Sequence, residues 1–329
     1  MLILNAADVR RALPMKAAIA AMKRAYAAFS AGRVEAPLRT HLPVASQEAA
    51  ALFMPAFVQD EDGDALAVKV VSLFPGNPGR GLPFIHAAVL VLDAANGRPQ
   101  ALLEGGTLTA IRTGAASGAA TDLLARSDSR VAAIFGAGVQ SRTQLEAICA
   151  VRPIETVFVF DPSQEKAAVF ADEMAGVGDI PMDVRVADSP GTAVRHADII
   201  CCATTATAPV FDDADLKPGV HINGVGSYTP AMQEIPAETV ARARVVVDSR
   251  AACLVEAGDL IQPIQAGLFT AGHIWAELGE IVVGKRDGRA APNQITCFKS
   301  VGIAVQDAVA AQTALKTAHD LGLGQTVAW

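Results

Sequence analysis

Apolar residues at Val9, Leu13, Met15, Ile19, Met22 and Tyr26 recur with a spacing near 3.6 and predict one amphipathic helix over residues 6–32, closed by Gly32. The period then shortens to two. Residues 52–58, 66–74 and 85–92 read as β-strands, with Asp62-Gly63 and Asn96-Gly97 where hairpin turns belong. These segments describe a mainly antiparallel α+β unit over about the first 105 residues. An Ala-rich helix over 109–125 follows. Short apolar strands then appear at 131–135, 156–160, 184–186, 199–203, 220–225 and 245–248, separated by helical stretches such as 140–151 and one closing near Gly176. Strand, helix, strand at this spacing predicts a parallel sheet with right-handed crossovers. A last Ala-rich helical stretch covers 300–321.

The strand at 131–135 runs into Gly136-Ala-Gly138-Val139-Gln140-Ser141 and then a helix. Glycine at the first position permits a tight turn off the strand. At the second it lets backbone approach a pyrophosphate lying at the positive end of the helix. Ser141 stands where the third fingerprint glycine would be. Asp161 closes the next strand, 25 positions after Gly136, where an acid accepts hydrogen bonds from the adenosine ribose. A carboxylate there repels a 2′-phosphate by roughly 4 kcal/mol at ~4 Å and an effective dielectric near 20, so NAD(H) is favoured and NADP(H) remains possible. The alternative is that Asp161 only starts an Asp-Pro turn. Thr204 and Thr205 end the strand at 199–203 and fall on the carboxyl edge, where a dinucleotide lies. The fold class expected is α/β, a Rossmann-type doubly wound parallel sheet domain at 118–302 plus an α+β domain made of 1–117 and 303–329.

Composition narrows the possibilities. A chain of 329 residues, 51% hydrophobic, has material for two cores. A net charge of −7 and the lack of any basic run argue against nucleic acid as a partner. No apolar stretch reaches the ~18 residues of a membrane span, and the first turns carry Asp8, Arg10 and Arg11 where a signal peptide would be apolar. Cys149, Cys201, Cys202, Cys253 and Cys297 are odd in number and irregular in spacing, which fits free thiols in a reducing, cytoplasmic setting. The histidines His41, His86, His196, His221, His273 and His319 show no metal spacing, so no metal is expected.

Four motifs, in order, carry a resemblance that spans nearly the whole chain: Leu108-Thr-Ala-Ile-Arg112-Thr113-Gly-Ala-Ala-Ser117, Gly136-Ala-Gly-Val-Gln140, Asn223-Gly-Val225-Gly226 and Phe298-Lys-Ser300-Val-Gly302. They closely resemble the ornithine cyclodeaminase/mu-crystallin family. The resemblance implies an N-terminal domain for substrate binding and dimerisation, completed by the C-terminal helix, around a dinucleotide domain, and it implies homodimers. Family members act on a carbon that bears nitrogen beside a carboxylate. The resemblance gives Arg39, Met54, Lys69 and Arg112 to the substrate, with the three cations holding its carboxylate. It gives Arg112, Thr113, Gly136, Gly138, Val139, Gln140, Asp161, Thr204, Thr205, Val225, Gly226 and Ser300 to the cofactor. Fixing a carboxylate in a dry site does require preorganised cations. Lys69 lies in the apolar run Ala67-Val-Lys69-Val-Val, where an unpaired charge would be costly, unless it faces outward on an edge strand. Arg112 has few charged neighbours, and its partner is either the substrate or the cofactor pyrophosphate.

The departure from the family pattern follows Gly226. Cyclodeaminases carry an Asp shortly after this glycine, and here Tyr228 occupies the place. A phenol cannot serve as a carboxylate-like base at neutral pH. The resemblance therefore implies reduction of a preformed cyclic imine, such as pyrroline-2-carboxylate to proline, with Lys69, His86 and Tyr228 as the catalytic residues and His86 or Tyr228 as the group that supplies or retains the proton. His86 is alternatively a structural hydrogen bonder. The competing expectations are a cyclodeaminase or amino-acid dehydrogenase with its base moved to Glu256 or Asp259, and a dinucleotide-binding protein without turnover.

Overall fold

The computed structural model describes residues 1–328. The chain divides into two compact units, Met1–Arg112 with the segment from Ile303 onward, and Thr113–Gly302.

The first unit is one mixed sheet covered by helices. Its strands are β1 (Leu2–Leu4), β2 (Val34–Glu35), β3 (Thr40–Val44), β4 (Ala49–Val58), β5 (Ala65–Leu73), β6 (Ile85–Leu92) and β7 (Pro99–Glu104), joined at the edge by Gln325–Thr326. Their order is Gln325–Thr326, β1, β7, β6, β5, β4, β2, with β3 also on β4. The expected turns at Gly63 and Gly97 are present, both with positive φ. The sequence reading missed β1, β2, β3, β7 and the edge strand Gln325–Thr326. It also ran 6–32 together, whereas the structure has helices Ala6–Ala12 and Met15–Ser30. Pro14 has no N–H to donate and breaks the helical run; it stands at the N-cap position of the second helix instead.

Alternation sets the faces of this sheet. On β5 the buried positions are Ala65, Ala67, Lys69 and Val71, and the helix Ala304–Leu321 packs over them. The opposite face is half-buried but also apolar: Phe53, Pro55 and Phe57 on β4, Leu66, Val68 and Val70 on β5, and Leu90 on β6.

The second unit is an eight-stranded parallel sheet. Its strands are β8 (Val131–Phe135), β9 (Thr156–Phe160), β10 (Val184–Val186), β11 (Ile199–Cys202), β12 (His221–Gly224), β13 (Arg244–Val247), β14 (Ile274–Glu277) and β15 (Thr296–Lys299). The order is β10-β9-β8-β11-β12-β15-β13-β14. The chain runs outward from β8 to β10, then crosses to β11 on the other side of β8. This creates the switch point at which open α/β sheets bind ligands. Both faces are buried, because Ile134, Ile199 and Cys201 pack into one apolar layer and Phe135, Ile200 and Cys202 into the other. β14 and β15 were not expected, and β15 inserts between β12 and β13, which carries Lys299 to the middle of the sheet.

Candidate active site

Lys69 projects from the buried face of a central strand, and the outward-facing alternative is ruled out. Met54 lies beside it in register across β4, and Val89 across β6. The ammonium is 2% exposed and forms an ion pair with Asp307 Oδ2 at 2.6 Å. The other oxygen of Asp307 accepts from Arg112 Nε at 3.0 Å. Arg112 also donates to Gln306 Oε1 at 3.1 Å, and Gln306 Nε2 donates to the Tyr26 hydroxyl at 2.8 Å. One carboxylate thus holds two buried cations. Like charges ~5 Å apart repel by about 3 kcal/mol at an effective dielectric near 20, so the pair requires an anion between them. Burial, helped by the positive charges of Arg112 and Arg39 and opposed by Asp307, lowers Lys69 to a pKa of about 8. Two buried cations on one carboxylate leave residual positive charge within apolar surroundings. Such a site suits a small organic anion.

His86 departs from the expectation. It pairs with Ser72 across the sheet, so it points to the face opposite Lys69, and it is exposed.

In the second unit the glycine loop has the form a pyrophosphate needs. Gly136 has φ +91°, and a Cβ there would stand 2.8 Å from the Ala203 carbonyl oxygen. A Cβ at Gly138 would meet nothing within 4 Å. Gly138 begins the 13-residue helix Val139–Val151 without any side-chain cap, so the first N–H groups of the helix are open to a ligand, with exposed Val139 beside them. These residues fit a dinucleotide. Asp161 does more than start a turn: its Oδ2 accepts from Ala137 N at 3.0 Å and its Oδ1 from Ser163 N at 2.9 Å. The Gln144 amide donates to the Thr113 carbonyl at 3.3 Å, tying the helix that carries Thr113 to the one that carries Gln140.

Buried carboxylates also fasten the other loops at the carboxyl edge of the sheet. Glu234 accepts from Thr204 N and Oγ1 (2.6 and 2.9 Å), Gly226 N (2.7 Å) and Ser227 N (3.0 Å). It thereby joins the loops after β11 and β12. Burial pushes its pKa up while nearby Lys299 opposes the shift. Lys299 pairs with Asp259 Oδ2 at 3.0 Å, and Asp259 Oδ1 accepts from Glu234 N and Ile235 N. Asp248 accepts from Ser300 Oγ (2.7 Å), Val301 N (2.9 Å) and Gly302 N (2.7 Å), holding the loop after β15. The hydroxyls of Thr204 and Ser300 therefore face internal carboxylates, and backbone and methyl groups remain for a ligand. Thr205 is exposed and Val225 is half-buried, its N–H donating to Cys202 O.

The family model for ornithine cyclodeaminase/mu-crystallin proteins matches residues 1–320. This chain belongs to that family. It is 43% identical over 328 residues to a Delta(1)-pyrroline-2-carboxylate reductase of Bacillus cereus, covering 99% of each chain. It is 38% identical over 281 residues to the ketimine reductase mu-crystallin of Mus musculus, covering 85% of this chain and 84% of that one. Among solved structures, the Thermococcus litoralis Delta(1)-pyrroline-2-carboxylate reductase in complex with NADH and L-proline superposes with a TM-score of 0.93 at 44% identity, over 99% of this chain and 100% of the other.

Tyr228, which the resemblance puts at the place of the cyclodeaminase Asp, is exposed. The alternative base Asp259 is fully buried and engaged by two backbone N–H groups and Lys299. A carboxylate so enclosed cannot activate a water on substrate. Glu256 ends the helix Arg250–Glu256. Among the described residues no group of three or more His, Cys, Asp or Glu could hold a metal ion. No helix among them is long and apolar enough to cross a membrane.

Sequence reasoning missed Asp307, Glu234, Asp248 and Lys299. A signal existed for two of them. Asp307 is an isolated charge in Ala304-Val-Gln-Asp-Ala-Val-Ala-Ala, and Lys299 follows the apolar run Ile295-Thr-Cys-Phe, the same argument that singled out Lys69.

Proposed function

We propose that this protein is an NADH-dependent reductase of cyclic ketimines, converting pyrroline-2-carboxylate or a close ring homologue to the cyclic amino acid. The observation that carries this reading is the Lys69–Asp307–Arg112 cluster, a buried cation site without a carboxylate free to act as a base. Arg112, with Arg39, binds the substrate carboxylate, and Met54 supplies apolar contact to the ring beside Lys69. Lys69, charged at neutral pH yet easily deprotonated, gives the imine nitrogen its proton. The glycine loop, the open helix end and Asp161 hold the dinucleotide, with Thr113, Gln140, Thr204, Thr205, Val225, Gly226 and Ser300 forming its surroundings. When bound, the cofactor supplies a hydride to the imine carbon. A protonated imine needs no general base, which suits a site with Tyr228 in place of the acid.

The relatives support the same reading. The Thermococcus litoralis structure holds NADH and L-proline, and an archaeal alanine dehydrogenase with bound NAD (28% identity, TM-score 0.91) is a dimer. We propose a homodimer for this chain too, formed through the apolar outer face of the first sheet, and a cytoplasmic setting in keeping with five buried free thiols. The test is loss of absorbance at 340 nm from NADH with pyrroline-2-carboxylate, with ornithine as the control. Rapid NADH oxidation without ammonia release from ornithine is expected. Ammonia from ornithine, with an inert ketimine, would overturn the reading.

A further inference from the structure

Arg112 and Lys69 come from a helix and a strand far apart in sequence, yet both meet the carboxylate of a third residue, Asp307, in the first turn of the helix Ala304–Leu321. The carboxylate is 1% exposed, and its two oxygens are divided between the two cations. Gln306, the preceding residue, continues the chain to Tyr26 and also bonds its own helix start, accepting from Ile303 N at 2.8 Å. Asp307 is therefore held rigidly by its own element.

We propose that Asp307 is the positioning residue of the reaction: it orients the Lys69 ammonium so that Lys69, and not solvent, protonates the imine nitrogen, while Arg112 stays on the substrate carboxylate. This rests on the ketimine reductase reading. An N–H bond of the Lys69 ammonium breaks and its electron pair stays on Nζ as a neutral amine. The lone pair of the imine nitrogen takes the proton, and the C=N bond so polarised accepts the hydride. Water returns a proton to Lys69 in the next cycle.

Three charged groups act on Lys69: Asp307 raises its proton affinity, while Arg112 and Arg39 lower it. Its register neighbours Met54 and Val89 carry no charge. Without the carboxylate, burial and two cations act unopposed, and Lys69 loses its proton at lower pH. The sign is thus fixed: reduction requires the ammonium, so the rate falls as pH rises through about 8 in the native protein, and earlier once Asp307 is neutralised.

The experiment compares native protein, Asp307→Asn and Lys69→Arg. Single-turnover NADH oxidation with pyrroline-2-carboxylate is followed from pH 6 to 10, and Lys69 is titrated by NMR in the free protein with 13C-labelled lysine. Asp307→Asn should move both the alkaline limb of the rate and the Lys69 titration down by at least about one pH unit, so that its deficit is smaller at pH 6 than at pH 9. Lys69→Arg keeps the ion pair but cannot release a proton near neutrality. It should retain L-proline binding within about tenfold while losing more than about 100-fold in rate. An equal loss at every pH for Asp307→Asn, an unmoved titration, or an active Lys69→Arg overturns the proposal. If Asp307→Asn does not fold, Lys69→Arg decides alone. A native protein inert toward ketimines would instead overturn the reading of function.

Discussion

His221 is fully buried, with Nε2 donating to Asn223 Oδ1 (3.2 Å) and Nδ1 facing Thr296 Oγ1 (3.0 Å). Burial, reinforced by Arg289, lowers its pKa to about 3. On unfolding the imidazole takes up a proton below pH 6.5 that the folded protein refuses until about pH 3. The unfolded state binds more protons in that window, so stability drops as pH falls, by on the order of 3–5 kcal/mol across it. His221→Gln should lower Tm at pH 7 yet flatten its decline between pH 6.5 and 4; equal slopes for the two proteins would remove the histidine from the account. Asp161 makes a second prediction at this scale. Asp161→Ser removes the charge that repels a 2′-phosphate and frees Ala137 N. The preference for NADH over NADPH, measured as a ratio of kcat/KM, should shrink at least about tenfold, the direction set by the ~4 kcal/mol repulsion. Lys69 was legible in the sequence because a charge in an apolar strand needs a partner. The identity of that partner was not, since Asp307 is 238 positions away and only the fold brings it near.

Elements were legible where a period ran undisturbed: β8, β9 and β10 match expectation residue for residue. They were illegible where tertiary placement decides, as for β15, whose insertion between β12 and β13 leaves no local trace. The packing of helices is similarly encoded by single atoms. In the helix Gly105–Leu124, a Cβ at Gly114 would overlap the Thr143 carbonyl and its Cβ on the helix Val139–Val151. Backbone cannot yield as a flexible side chain does, so Gly114→Ala should cost about 2–3 kcal/mol. That corresponds to a Tm lower by roughly 4–12 °C. Because the second helix begins at the glycine loop, the affinity for NADH, read by fluorescence, should weaken as well. A variant with unchanged Tm would show that the contact relaxes freely.

For the whole molecule the decisive surface is the outer face of the first sheet. A strand such as β5, apolar on both faces, is expected only where both are covered. Val70→Asp places a charge in that patch, away from Lys69. Sedimentation should show native dimers and variant monomers, with NADH binding to the second unit retained; a dimeric variant would point to another contact. The discontinuity of the first unit has a further consequence. Residues 304–321 roof the sheet over Lys69 and bring its counter-charge, yet they leave the ribosome after the entire parallel sheet. For most of its synthesis the protein therefore carries an open sheet with an unneutralised ammonium on the side that must become its interior. Order of assembly runs against order of translation: the part encoded first is finished last, when residues 304–321 bring Asp307 to Lys69 and Arg112.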